Sequence, residues 1–127
     1  MFNKKGVTLI EMMIALVILL VVSLALMQTA IIGMNVNLQN ALRDEAVNIA
    51  EMRMNQLRSL PFELVTAGTE TPVTRNFRGF TETYNLAVTI NNIDTTNASS
   101  KQIFIGVDWN YRGKTYSHGI TTIVRKQ

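Results

Sequence analysis

The sequence predicts an α+β protein in which one long N-terminal helix packs on a small antiparallel sheet. Three observations lead there. Residues Met12 to Met27 are apolar apart from Ser23, and Ala30, Ile31, Ile32 and Met34 prolong the run. Beyond it, Leu38, Leu42, Ala46, Ile49, Arg53, Leu57 and Leu60 recur every three or four positions, the spacing of one helix face, and all but Arg53 are apolar. After Asn76 the apolar period falls to two, as in strands with one covered face.

The first stretch contains no charged residue between Glu11 and Arg43. A bilayer core about 30 Å thick takes about 20 apolar helical residues, so residues 7–34 are long enough to span one. Lys4 and Lys5 precede the run and no basic residue follows until Arg43. That asymmetry predicts a single pass with a cytoplasmic N-terminus and an extracytoplasmic remainder, residues 35–127. Glu11 stands about one turn inside the apolar segment. An acid at that depth is costly unless it finds a partner, which makes it a functional candidate.

The helix is expected from about Val7 to about Ser59, some 80 Å at 1.5 Å per residue. Gly33 is a candidate bend and Pro61 the first proline. The half-helix over residues 35–60 should cover the sheet, with Arg53 the one break in its stripe. Residues 61–76, with Gly68 and Pro72, read as the connection from helix to sheet. Within 77–125, Tyr84, Leu86, Val88 and Ile90 alternate with polar residues, and Ile103, Ile105, Val107, Trp109 and Tyr111 give the cleanest alternation of all. Arg112-Gly113-Lys114 is the expected turn, and Tyr116 to Val124 the returning strand of a hairpin. A short fourth strand is expected near Val73 to Phe77.

Three readings compete for the N-terminus. A removable signal peptide would use Ser23-x-Ala25 as its cleavage site, but the apolar run continues past Ala25 and Glu11 interrupts the core. A plain membrane anchor for a binding domain that never polymerises explains the length and the lysines and leaves Glu11 unexplained. The third reading takes Lys4-Lys5-Gly6-Val7-Thr8-Leu9-Ile10-Glu11 as one unit. That unit resembles the N-terminal signature of type IV prepilins and of type II secretion pseudopilins. The resemblance implies a pilin-like fold and a leader, residues 1–6, cut after Gly6 by a membrane peptidase. It further implies N-methylation of Val7 and a role for Glu11 in subunit assembly, with Lys4 and Lys5 as the leader charges.

The chemistry of such a site can be stated from the residues. Gly6 places no Cβ in the way of a peptidase cleft. Cutting after it removes both lysines and creates a cationic amine on Val7. Val7 and Glu11 are i and i+4, so both are expected on the same helix face. Between packed neighbours, the amine of one subunit and the Glu11 of the next would offset two charges that are each costly in an apolar core. An intramolecular pair is the other version.

The segment from Ile105-Gly-Val107-Asp-Trp109 through Gly113 to Ile123-Val124 resembles the closing hairpin of PilV-type minor prepilins, the type IV pilus modification group, and more loosely I-type pseudopilins. Major pilins often carry a disulfide and a proline inside the apolar half. This chain has no cysteine, and its first proline is Pro61. These departures, with the small size, favour a minor pilin in an initiating or tip complex over a bulk subunit. A minor pseudopilin of a type II secretion system is the alternative. The partners implied are other pilin subunits, the peptidase that also methylates, and the inner-membrane assembly platform; the location after assembly would be the extracellular pilus.

Other chemistry is sparse. The formal charge is +3, but without Lys4 and Lys5 only 10 basic residues face 9 acidic ones, so nucleic acid is not a favoured partner. His118 is the single histidine and has no cysteine to join it, which argues against a metal site. Ser117 and His118 point to opposite faces of one strand and cannot act together as nucleophile and base. Glu70, Glu82, Asp94 and Asp108 are scattered. Asp94 lacks the ligand spacing of a Ca²⁺ loop, and Asn97-Ala98-Ser99 fits a glycosylation sequon by chance as easily as by purpose. No catalytic residues and no cofactor are expected, and the chain reads as not an enzyme.

Overall fold

The computed structural model of the chain describes residues 6–77, 79–93 and 99–126. It divides into two units, Met1–Asn40 and Ala41–Gln127. Helix α1, Leu9–Ser59, contributes residues to both. It starts two residues later than the expected Val7. After it come a 3-10 turn at Phe62–Leu64 and five strands: β1 Gly68–Thr69, β2 Val73–Phe77, β3 Phe80–Asn92, β4 Ser100–Tyr111 and β5 Lys114–Arg125.

In the first unit the apolar composition is matched by exposure: every large apolar side chain from Val7 through Val36 is solvent-facing. Helix formation there depends on the backbone closing its own bonds, and the few hydroxyls follow the same rule. Ser23 Oγ donates to the Leu19 carbonyl at 2.8 Å and Thr29 Oγ1 to the Ala25 carbonyl at 3.1 Å. These bonds leave no side-chain hydroxyl hydrogen seeking an outside partner, as a helix in hydrocarbon requires. Gly33 lies within the helix. By length and composition α1 can cross a membrane.

In the second unit the helix buries Leu42, Ala46, Ile49, Ala50, Met54 and Leu57. Against them the sheet sets Tyr84, Leu86 and Val88 from β3 and Ile103, Ile105, Val107 and Trp109 from β4, all buried. Alternation puts these residues on one face, and each large apolar side chain so covered contributes about 1.5–3 kcal/mol. Leu60, expected in the stripe, is 40% exposed. The residue before a proline is pushed out of the helical region, so Pro61 ends the helix one residue too early for Leu60 to reach the core. Met54 and Ala50 fill in instead, widening the stripe.

The strand order is β1-β3-β4-β5, and β2 pairs with β3 alongside β1. All pairings are antiparallel, and β4 with β5 forms an unbroken ladder from Ser100↔Arg125 to Tyr111↔Lys114. The turn of that hairpin is Arg112-Gly113, with φ of 51° and 74°. Two consecutive left-handed residues make the turn whose twist suits a two-residue hairpin, and Lys114 already belongs to β5. The segment 61–76, read as a plain connection, in fact holds the 3-10 turn, β1 and the start of β2. The edge of β3 offers unpaired backbone groups, and the connection supplies partners for them. β2 is the short fourth strand expected near Val73 to Phe77; β1, two residues long, is too brief to leave a period in the sequence.

Tyr84, 0% exposed, ties sheet to helix: its hydroxyl donates to the Leu42 carbonyl at 3.1 Å. Burial, reinforced by the nearby charges of Glu45 and Glu82, pushes this phenol up to about 12. On the opposite face of the sheet, Phe104 lies across paired Gly106 and Gly119. A Cβ on Gly119 would stand 2.6 Å from the ring, so only glycine leaves the ring that resting place.

Candidate processing and assembly site

Helix α1 begins with a capping box. Thr8 precedes the first helical residue, Leu9, and Glu11 is the third residue of the helix. The Thr8 amide donates to Glu11 Oε2 at 2.7 Å, and Thr8 Oγ1 donates to the same oxygen at 2.9 Å. In return the Glu11 amide donates to Thr8 Oγ1 at 3.4 Å. The helix start has four amides with no partner inside the helix, and this exchange satisfies two of the groups at that end. The Thr8-x-x-Glu11 spacing is the sequence signal of such a cap, a local pattern independent of the apolar period.

The cap decides where the other site residues lie. Gly6 and Val7 are outside the helix, and both are exposed, Val7 by 70%. Among the described residues, no heavy atom would touch a Cβ built on Gly6. The helical four-residue relation expected between Val7 and Glu11 therefore does not hold at this end, because Val7 precedes the cap. The intramolecular partner of Glu11 is Thr8. Among the described residues Glu11 Oε1 accepts no hydrogen bond, so one oxygen of the carboxylate is committed and the other is open. Lys4 and Lys5, the expected leader charges, lie outside the described residues.

What this arrangement can do follows from its parts. Gly6 and Val7, which flank the peptide to be cut, are both exposed, and hydrolysis there would leave an amine on the residue just before the Thr8 cap. Behind it stand some thirty residues of helix whose apolar side chains have no cover within the chain. They need hydrocarbon or the helices of neighbours.

The remaining candidates are not brought together. His118 points to the helix-facing side of β5, opposite Val107, and its Nε2 is buried without a hydrogen-bond partner among the described residues. Ser117 faces the other way, opposite Asp108. No cluster of three or more His, Cys, Asp or Glu occurs among the described residues. Asp94, Asn97 and Ala98 lie outside them. A groove of about 570 Å³ runs beside Ile49 and Leu86 with Arg53 and Arg75 on its walls. The charges there are paired across the fold: Arg53 Nε donates to Glu70 Oε1 and Arg75 Nε to Glu45 Oε1, each at 2.7 Å.

Two lysines hold the 3-10 turn to the sheet. Lys101 Nζ donates to the Phe62 carbonyl at 2.8 Å and sits 4.4 Å from the centre of the Phe62 ring. Lys126 Nζ donates to Glu63 Oε1 at 2.7 Å, and that hydrogen bond and charge hold the Glu63 carboxyl below its usual range. These contacts join residues 39 and 63 positions apart, which no local pattern could announce.

In comparisons with known proteins, no curated protein and no solved structure matches the chain. Residues 1–27 match the family model described as the prokaryotic N-terminal methylation motif, which supports a type IV pilin or pseudopilin subunit, processed by a prepilin peptidase and assembled with other such subunits.

Proposed function

We propose that this chain is a minor pilin, made as an inner-membrane precursor and incorporated into a type IV pilus as part of its initiating or tip complex. The precursor stands with its leader, residues 1–6, in the cytoplasm and the sheet-bearing unit outside. A prepilin peptidase cuts after Gly6 and Val7 is N-methylated. The subunit then leaves the bilayer for a helical assembly, in which the uncovered apolar half of α1 is buried against the same halves of other pilins. The amine of Val7 in one subunit reaches Glu11 of a neighbour and sets the axial register. The same N-terminal chemistry would serve a minor pseudopilin of type II secretion, and the filament fraction in which the chain is recovered separates the two.

One observation carries the reading: an unbroken apolar helix half, uncovered within the chain and free of charge after Glu11, headed by an exposed Gly6–Val7 junction. An anchor alone would explain the apolar half but neither the acid nor the junction. The test is the mass and N-terminal sequence of the mature protein taken from membranes. A chain beginning at Val7 and carrying one methyl group is expected. An intact Met1, or a cut after Ala25, removes the proposal.

A further inference from the structure

We propose that Thr8 is a positioning residue for processing: its cap starts α1 at Leu9 and thereby keeps the Gly6–Val7 peptide out of the helix. This rests on the cleavage proposed above and names a residue that governs it. The observations are the three capping bonds between Thr8 and Glu11, the first helical residue at Leu9, and the exposed, non-helical Gly6 and Val7.

The physical reason lies in what a peptidase must grasp. Hydrolysis adds water across the Gly6–Val7 bond, leaving a carboxylate on Gly6 and a protonated amine on Val7. To present that bond, the backbone groups around it must be free to pair with the enzyme. A helix, once nucleated, propagates readily, because each added residue brings one more backbone bond. Val7 has no side-chain oxygen with which to cap the helix and halt that spread. The next residue upstream with a capping side chain is Asn3. A helix begun there would enclose the Gly6–Val7 peptide in its first two turns. The oxygen of Thr8 stops the helix two residues short of the bond, and Gly6 reinforces the stop through its poor helix propensity.

The Thr8 side chain accepts from the backbone of Glu11, so this half of the box survives removal of the Glu11 carboxylate. The test uses the full-length precursor in membrane vesicles with a prepilin peptidase. Single-turnover cleavage is followed by mass, and the Cα chemical shift of Val7 reports its conformation. Thr8→Val keeps the shape and deletes the oxygen; losing an N-cap corresponds to about a 2- to 30-fold change, and cleavage is expected to slow within that range while the Val7 shift turns helical. Thr8→Ser and Thr8→Asn cap as well as threonine or better, so both should stay within about twofold of the parent. Parent-like cleavage of Thr8→Val overturns the proposal. So does slow cleavage of Thr8→Asn equal to that of Thr8→Val, because a residue gripped directly by the peptidase would reject both shapes. A parent chain that is never cut at Gly6 defeats the processing reading itself, which is a distinguishable result.

Discussion

Replacing Tyr84 by phenylalanine tests how the helix is held to the sheet. The tyrosine is 0% exposed and its hydroxyl donates to the Leu42 carbonyl at 3.1 Å, 42 residues away in sequence. That carbonyl also serves the helix, taking the amide four residues on, so Tyr84→Phe orphans nothing on the helix side. The loss is then the net worth of one neutral hydrogen bond, about 1 kcal/mol, with little packing change because the ring stays. The hydroxyl also carries a pH signature. Its pKa in the fold is about 12, above the value near 10 of an unfolded tyrosine. The folded state therefore favours the protonated form, and its contribution is complete below pH about 10 and is lost as pH rises toward 12. Urea unfolding of the full chain in detergent, followed by the signal of Trp109, would measure both effects. The parent should lead the variant by about 1 kcal/mol at neutral pH, and the lead should vanish or reverse at strongly alkaline pH. Equal stability at neutral pH together with identical alkaline profiles would refute the argument that this hydroxyl links β3 to α1.

Other substitutions probe the remaining links. Ile105→Ala empties a site that is 0% exposed between sheet and helix, and should cost about 2–5 kcal/mol in the same unfolding assay. Gly113→Val forces a β-branched residue to φ 74°, and should destabilise the hairpin by about 1–2 kcal/mol, whereas Arg112→Gly at φ 51° should be tolerated. Glu11→Ala should leave membrane insertion and cleavage intact but lower the amount of chain in sheared surface filaments, read by immunoblot against the membrane pool. Unchanged incorporation would count against a register role for the acid.

Much of this was readable because it is local. The apolar run, the two-residue period of β3 to β5, the proline that ends α1 and the Arg112-Gly113 turn all sit within a few residues of their signals. So does the Thr8–Glu11 cap, whose spacing is visible in the chain and whose consequence is not: it moves Val7 out of the helix in which the apolar pattern would include it. Leu60 shows the opposite failure, where periodicity continued one residue past the point that backbone sterics allow.

Residue order along the chain was enough to specify a span, a long helix, a hairpin and an acid in apolar surroundings, since each depends on the side chains of near neighbours. Tertiary structure alone decided that β1 exists, that Arg53 meets Glu70 and Arg75 meets Glu45, and that Tyr84 reaches Leu42. Those contacts join groups 17 to 42 residues apart, and they form only once the sheet has closed against the helix and brought their separate neighbourhoods within hydrogen-bonding reach.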